Sequence, residues 1–239
     1  MVEDKVTARP MAAISLTAAR LSFAGAAMFV ILLVALHFIK PEVDPSWHFI
    51  SEYAIGDSGW IMEFAFLSLA LSYVSLFVAI WSQLRTSAGR IGLALLLVSA
   101  LGLTIAAVFT TDPITVSEDA VTTEGTLHNL GGTLGITMPF AAALVGWKLA
   151  RNPAWYSARR SLLWATGLAV VAFLFSFVSL GVMVSRSGGE FGSNVPVGWP
   201  NRIEIVVYSV WLMVVARRAM HLRRRNPETT GRTVAGRRT

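Results

Sequence analysis

Residues 91–109 read Ile-Gly-Leu-Ala-Leu-Leu-Leu-Val-Ser-Ala-Leu-Gly-Leu-Thr-Ile-Ala-Ala-Val-Phe and contain no charged side chain. A helix rises 1.5 Å per residue, so about 20 such residues cross the roughly 30 Å hydrocarbon core of a bilayer. Backbone groups in lipid must satisfy their own hydrogen bonds, and an isolated apolar run does so only as a helix. This stretch therefore predicts a transmembrane helix.

The same pattern recurs along the rest of the chain. The last run, Val197–Ala216, is the weakest candidate for a transmembrane helix, because Asn201, Arg202 and Glu204 stand near its start. Together the runs predict an all-α polytopic membrane protein, a bundle of six transmembrane helices within one membrane domain spanning residues 18–220. The five further apolar runs are Leu21–Phe38, Trp60–Trp81, Leu127–Trp147, Leu162–Val184 and Val197–Ala216.

Composition agrees with a membrane location and excludes several chemistries. The chain has 239 residues, of which 54% are hydrophobic and 14% charged, whereas soluble domains carry about 25% charged residues. Cysteine is absent, which excludes disulfides, thiolate metal sites and cysteine nucleophiles. The net charge of +6 comes from short segments between apolar runs, so we expect membrane lipid and no nucleic acid as partner.

The basic residues predict an orientation in the cell membrane. Of the 20 Lys and Arg residues, all but Lys40, Arg186 and Arg202 lie on one side of the predicted membrane. Because cytoplasmic loops are enriched in Lys and Arg, this distribution predicts a multi-pass protein with both termini in the cytoplasm. We expect residues 1–17 to form a cytoplasmic segment and residues 221–239 a basic, disordered cytoplasmic tail.

Two ionisable residues flank the second predicted outer connection. Asp112 closes the third run and His128 opens the fourth. Gly131 and Gly135 are four residues apart, a spacing that marks a closely packed helix face. His128 shares that face and should point into the bundle. We therefore predict that Asp112 and His128 lie within direct or water-bridged hydrogen-bonding range, as a catalytic acid–base pair at the outer leaflet.

The first predicted outer connection contains a segment, Trp47–Ile55, that mixes aromatic, aliphatic and polar residues. Water would penalise its exposed aromatic rings, so we expect it to fold onto the bundle. His48 or Glu52 should then face the second outer connection. Polar residues near the outer ends of the predicted helices are the candidates for substrate binding: His48, Glu52, Glu63, Arg202 and Glu204.

Several of these motifs resemble a known family. Thr110-Thr111-Asp112-Pro113, followed by Thr122-Thr123-Glu124-Gly125-Thr126-Leu127-His128, resembles the Phe-Pro-Thr-Asp … Thr-x-x-Gly-x-x-His pattern of domain-of-unknown-function family 998. Ser51-Glu52-Tyr53 and Gly59-Trp60-Ile61-Met62 are similar to its Ser-x-Tyr … Gly-Trp-Leu-Met segment. Arg202-Ile203 resembles its Glu-Arg-Leu/Ile element, with Asn201 in place of the acid.

The resemblance covers roughly residues 18–220 and implies a six-span fold in the bacterial inner membrane, without an established activity. A more distant likeness joins Ile50-Ser51-Glu52, His128-Asn129 and Glu204 to the eukaryotic Frag/DRAM/Sfk membrane proteins. Some of those proteins act in lipid-anchor remodelling. This second likeness is an analogy at the level of fold.

Three functions fit these patterns. The first is a lipid- or amphiphile-acting or -binding protein, with Asp112 and His128 at the outer leaflet and Arg202 holding an anionic head group. The second is a small transporter or proton-coupled sensor that also uses Glu63 and Glu204. The third is a structural membrane protein without catalysis. No zinc-protease helix, nucleophile elbow or phosphate-binding glycine loop occurs, and the sequence assigns no cofactor or metal.

The orientation can be tested by labelling, because the chain has no cysteine of its own. Single cysteines at Ser87 and Ala154 should be shielded from a membrane-impermeant thiol reagent in intact cells, whereas a cysteine at Val116 should react. All three should react in permeabilised cells. The reverse labelling pattern would overturn the assigned orientation.

Overall fold

The computed structural model describes residues 14–225, and within them the chain forms α-helices joined by short connections, with no β-strand. Residues 1–13 and 226–239, which hold most of the predicted terminal segments, lie outside the described residues. The helices are α1 (Leu16–Ile39), α2 (Trp60–Ile80), α3 (Ser87–Val108), α4 (Thr123–Gly135), α5 (Met138–Arg151), α6 (Arg159–Arg186) and α7 (Gly198–Arg225).

Five helical segments in this part of the chain are long and apolar enough to cross a membrane. The protein is thus an all-helical, membrane-like bundle. α7 falls short of the same standard because its charge-free part runs only from Ile205 to Ala216, between Glu204 and Arg217. The five segments are Leu16–Ile39, Trp60–Gln83, Ser87–Val108, Thr123–Arg151 and Pro153–Arg186.

The predicted fourth span, Leu127–Trp147, lies within the one segment Thr123–Arg151, but this segment consists of two helices, α4 and α5, and the sequence analysis did not predict the break between them. Pro139 lies in the first turn of α5, where it has no N–H to donate and its ring would clash with the carbonyl of Gly135 in a continuous helix. Thr137 accommodates the break: its amide bonds the carbonyl of Leu134, and its hydroxyl lies 2.8 Å from Ser99 Oγ of α3. The amide and the hydroxyl of Thr137 thereby satisfy the Leu134 carbonyl that the break frees.

The helices pack as a closed ring of neighbours, α1–α2–α3–α5–α6–α7, with α7 returning to α1. Small residues bring the backbones together. Gly25 of α1 lies against the carbonyl of Ser68 on α2, where an added Cβ would stand 2.5 Å from the oxygen. Ser72 Oγ of α2 donates to the Ser22 carbonyl of α1 at 2.7 Å. Such close contacts hold membrane helices together where lipid is as apolar as the side chains.

One end of the bundle carries the α1–α2, α3–α4 and α6–α7 connections, and we call it the long-connection end. These segments contact one another. The amide of Ile114, in the α3–α4 connection, donates to Glu52 in the α1–α2 connection. The amide of Gly198, at the start of α7, donates to the carbonyl of Ser46 at 3.0 Å. The three connections therefore form a shared cap over this end.

α4 stands beside the ring and packs on α3 through Gly131, which lies against the carbonyl of Gly102. Within the described chain it makes no comparable contact with α6 or α7. Gly132 and Gly135 face this unfilled side, and nothing lies within 4 Å of a Cβ built at either position. The predicted glycine face thus packs tightly on α3 through Gly131, and its other glycines border an open gap toward α7.

Neighbouring glycines of α4 give a matched stability test. In Gly131→Ala the new Cβ would lie 2.6 Å from the Gly102 carbonyl and 2.8 Å from the Ala106 amide, so the α3–α4 contact must open. We expect a loss of about 1–3 kcal/mol in unfolding free energy. Gly132→Ala meets no atom and should gain about 0.5–1 kcal/mol from helix propensity. Thermal unfolding of the purified proteins measures both, and equal shifts would contradict this packing.

Candidate functional site

A cavity of about 240 Å³ lies between α2, α3, α4 and α7, beneath the segment Phe49–Ser51 of the α1–α2 connection. Most of its wall is apolar, contributed by side chains such as Phe66, Leu69 and Leu103 and by the glycines of α4. A small set of polar residues lines it as well: Ser51, Tyr73, Ser99, His128, Asn201, Glu204 and Tyr208. An apolar cavity with a few convergent polar groups is the usual form of a ligand site.

His128 lies on the cavity wall with only 7% of its surface exposed, which confirms that it points into the bundle. Its Nδ1 is 2.9 Å from the carbonyl oxygen of Phe109, the residue that follows α3. A carbonyl only accepts hydrogen bonds, so Nδ1 must carry the proton. In the neutral ring Nε2 is then the acceptor. The end of α3 thereby fixes the tautomer of His128.

Glu204 forms the second polar feature of the cavity. Tyr208, one turn further along α7, donates its hydroxyl to Glu204 Oε1 at 2.7 Å. Ser176 of α6 donates a further hydrogen bond to the carboxylate, and Tyr73 of α2 is close enough to sense its charge. Among residues 14–225, no Lys, Arg or His lies within ion-pair distance of Glu204. The carboxylate is held by hydroxyl groups and has no cationic partner.

Asp112 has a different partner from the one predicted. Its carboxylate accepts hydrogen bonds from Thr122, at 2.8 Å from the amide and 2.9 Å from the hydroxyl. Thr122 is the N-cap of α4 and accepts in turn from the Gly125 amide. Gly125 must lack a side chain, because a Cβ there would lie 2.0 Å from Asp112 Oδ2. Asp112 thus secures the start of α4.

The predicted pair therefore lacks direct contact: no hydrogen bond or ion pair joins Asp112 to His128 in the part of the chain that the structure describes. The sequence argument paired the two because they flank one connection and the glycine face turns His128 inward. It did not foresee that Asp112 would bind the hydroxyl and amide of Thr122, or that His128 would bind the carbonyl of Phe109. A water-bridged contact and a catalytic role of the two residues stay predictions.

Arg202 is 3% exposed and does not line the cavity. Its Nε donates to His37 Nε2 of α1 at 3.2 Å, and its Nη1 donates to the carbonyls of His48 at 2.6 Å and Gly198 at 3.2 Å. The guanidinium also stands over the ring of Tyr53, 5.4 Å from its centre. These contacts tie α7 to α1 and to the α1–α2 connection.

The segment Trp47–Ile55 folds onto the bundle as predicted, and Glu52 turns toward the α3–α4 connection. Glu52 Oε2 accepts from the Ile114 amide at 3.1 Å, and Oε1 accepts from the Phe49 amide at 3.0 Å. Burial raises the pKa of Glu52, while these two amides oppose the shift. His48 Nε2 lies 3.9 Å from the same carboxylate. His48 and Glu52 therefore fasten the connection.

Glu63 occupies the first turn of α2 and does not line the cavity. A carboxylate there is favoured by the partial positive charge of the helix N-terminus. Of the predicted site residues, the structure brings only His128 and Glu204 to the cavity. No cluster of three or more His, Asp or Glu residues in the described ranges could hold a metal ion.

Sequence reasoning missed the two tyrosines beside Glu204. Tyr73 and Tyr208 sit in apolar helices, where an aromatic residue ordinarily reads as packing. One signal was present for Tyr208, because residues four apart share a helix face and Glu204 precedes it by four. Tyr73 carried no such signal, since the closure of α2 against α7 brings it to the cavity.

Comparison with known proteins identifies a family. The family model described as "Protein of unknown function (DUF998)" matches residues 23–218, which include every residue lining the cavity. No curated protein and no solved structure matches the chain. The match supports the resemblance that the motifs suggested. The more distant likeness to the Frag/DRAM/Sfk proteins stays a prediction.

The role of Arg202 can be tested with a charge-preserving change. In Arg202→Lys a single ammonium cannot reach the His37 ring and both carbonyls, so the α1–α2 connection should open more often. We expect amide hydrogen exchange of residues 48–55 to accelerate about tenfold, equivalent to ~1.4 kcal/mol of local opening free energy. Arg186→Lys, at an exposed arginine that ends α6, should leave exchange unchanged. Unchanged exchange in both variants would remove Arg202 as the fastening residue.

Proposed function

The chain belongs to the DUF998 family of membrane-like helical proteins of unknown function, and from that premise we propose that it binds one amphiphile at the outer leaflet. The amphiphile occupies the cavity between α2, α3, α4 and α7. The observation that carries this proposal is the composition of the cavity wall. Apolar side chains and glycines form most of it, and a few polar groups converge at one place.

The size of the cavity favours partial insertion. Pockets that enclose a drug-sized ligand usually measure roughly 300–1,000 Å³, more than the 240 Å³ of this cavity. The cavity therefore accepts a head group and the first part of a chain. The remainder passes through the gap beside Gly132 and Gly135, where α4 does not pack on α7. An amphiphile already dissolved in the bilayer reaches the cavity by this side route without crossing water.

The position of the cavity at the outer leaflet rests on a six-span topology with α7 as the last span. The two charged residues near the start of α7, Arg202 and Glu204, do not prevent this helix from crossing the membrane. Arg202 is enclosed by hydrogen bonds from its own bundle, and Glu204 faces the cavity, as intramembrane charges generally do. An even number of spans keeps both termini on one side, and the positive-inside rule makes that side cytoplasmic. The long-connection end is then outside.

A small transporter or proton-coupled sensor is the second candidate, favoured by one observation. Two of its four predicted titrating residues, His128 and Glu204, share the cavity. The other two serve elsewhere, since Asp112 secures α4 and Glu63 stands at the start of α2. The purely structural alternative accounts well for Asp112, Glu52 and Arg202, which fasten connections, and leaves the cavity without a role.

Filling the cavity tests the proposal. Gly135→Leu places a large side chain on the cavity wall, where no atom obstructs it, and should displace the bound amphiphile. Native mass spectrometry of protein released from its own membranes should show one bound amphiphile on the wild type, with occupancy reduced about tenfold in the variant.

Gly181→Leu is the matched control, because a Cβ at that exposed position of α6 also meets nothing within 4 Å and lies outside the cavity. Its occupancy should equal that of the wild type. Equal occupancy in all three proteins, or no bound amphiphile in the wild type, would contradict the proposed function.

A further inference from the structure

We propose that the head group of the bound amphiphile is an ammonium, held by the carboxylate of Glu204 inside a ring of aromatic side chains. This inference rests on the proposed function, because it assigns the ligand class of the same cavity. It replaces the anionic head group that the sequence suggested for Arg202.

The charge of the cavity wall is the first support. Of the described residues, Glu204 is the one acidic residue on the cavity wall, and no Lys or Arg side chain among them lines the cavity. The Glu204 carboxylate is therefore the counter-charge that the wall offers a ligand. Arg202 is near in sequence, but its guanidinium is engaged by His37, His48 and Gly198 on another face of α7. The wall suits a positively charged ligand.

The aromatic lining is the second, independent support. Phe49, Phe66, Tyr73 and Tyr208 come from the α1–α2 connection, from α2 and from α7, and all line the cavity. The faces of such rings attract cations, and aromatic cages are the usual way in which proteins bind alkylated ammonium groups. Together with the Glu204 carboxylate, these four rings of the cavity wall offer an organic cation both charge neutralisation and dispersion contacts. The same rings would give a phosphate or sulfate no hydrogen-bond donor beyond two tyrosine hydroxyls.

The membrane setting supplies the third argument. An ionised carboxylate at membrane depth is costly when no cation accompanies it, and Glu204 has none among residues 14–225. In the empty cavity the compensating cation is a proton on the carboxyl group. When an ammonium enters, that proton leaves to water and the carboxylate pairs with the ligand. One proton is thus released for each ammonium bound.

This exchange predicts weaker binding in acid. The groups that face Glu204 are Ser176 of α6, Tyr208 of α7 and Tyr73 of α2, with His128 of α4 on the same cavity wall. The hydroxyl groups stay neutral from pH 5 to pH 8. Protonation of Glu204 removes the counter-charge, and protonation of His128 adds a like charge. Both changes act in the same direction, so affinity for an ammonium falls as pH falls.

The experiment compares probes that share one chain. The full-length protein in nanodiscs of an uncharged glycolipid receives equal amounts of dodecyltrimethylammonium, dodecanol and dodecyl phosphate, and native mass spectrometry counts each bound probe. We expect the ammonium to exceed the other two about tenfold at pH 8 and to lose that advantage at pH 5. In Glu204→Gln the advantage should disappear, whereas Glu190→Gln, at an exposed carboxylate before α7, should keep it.

A second pair of variants separates the ring from the hydroxyl and guards against a general folding defect. Tyr208→Phe keeps the aromatic face and should retain the ammonium preference. Tyr208→Leu should reduce it about threefold, corresponding to ~0.7 kcal/mol of cation–π attraction. Thermal unfolding of both variants reports on folding. A preference that survives in Tyr208→Leu and in Glu204→Gln would overturn the ammonium assignment.

The outcomes distinguish the two proposals. In one outcome, the protein retains dodecanol or dodecyl phosphate as strongly as the ammonium probe and loses all three in Gly135→Leu. That result would support amphiphile binding and overturn the assignment of an ammonium head group. Retention of no probe above the Gly135→Leu level would overturn both. Where the ammonium is preferred, displacement by lysophosphatidylethanolamine assigns the site to a lipid head group, and resistance to it assigns the site to a free amphiphilic amine.

Discussion

The guanidinium of Arg202 joins three parts of the chain at the long-connection end: α7, α1 through His37, and the α1–α2 connection through the His48 carbonyl. Burying a cation in this way is costly unless its donors are paired, and three hydrogen bonds offset most of that penalty. Arg202 Nη2 has no hydrogen-bond partner among the described residues, and burying this unpaired donor costs about 1–3 kcal/mol of folding free energy. His37 contributes only as a neutral ring, because Nδ1 donates to the Leu33 carbonyl and Nε2 must accept from the arginine.

The cap over the cavity depends on this contact. Once His48 is held, the segment that follows it turns inward, and Phe49–Ser51 covers the cavity. Asn201, next to the arginine, accepts from the Ile50 amide at 3.1 Å, and Glu52 extends the attachment to the α3–α4 connection. Polar residues at this end therefore divide by role. Arg202, Glu52 and Asp112 fasten backbone segments, whereas His128 and Glu204 face the enclosed space.

The walls of the cavity follow from helix packing in lipid. Glycines let α4 approach α3 closely, and the break before Pro139 ends α4 beside the cavity. The far half of α6 turns large apolar side chains outward, including Leu174, Phe175 and Phe177, which suits contact with acyl chains. Under the proposed function, the apolar exterior and the side gap between α4 and α7 would give a membrane-dissolved ligand an apolar path to the polar groups.

The sequence by itself determined the class of the protein. Apolar runs, the basic asymmetry, the glycine face that turns His128 inward, and the family motifs are all read from local spacing, and local spacing governs helix formation in lipid. It also foretold that Trp47–Ile55 would fold back, because water would penalise those side chains. The break between α4 and α5 was missed. The span was defined by hydropathy alone, and the apolar run continues on both sides of Pro139.

Only the tertiary structure decided which polar residues share the site. Asp112 and His128 flank the same connection, but each has another partner. Asp112 accepts from Thr122, the N-cap of α4, and His128 donates to the carbonyl of Phe109. Tyr73 and Glu204 meet because α2 and α7, far apart in sequence, close against each other. Hydrogen bonds and charge pairing act over a few ångströms, and separation along the chain carries no information about such distances until the helices have packed.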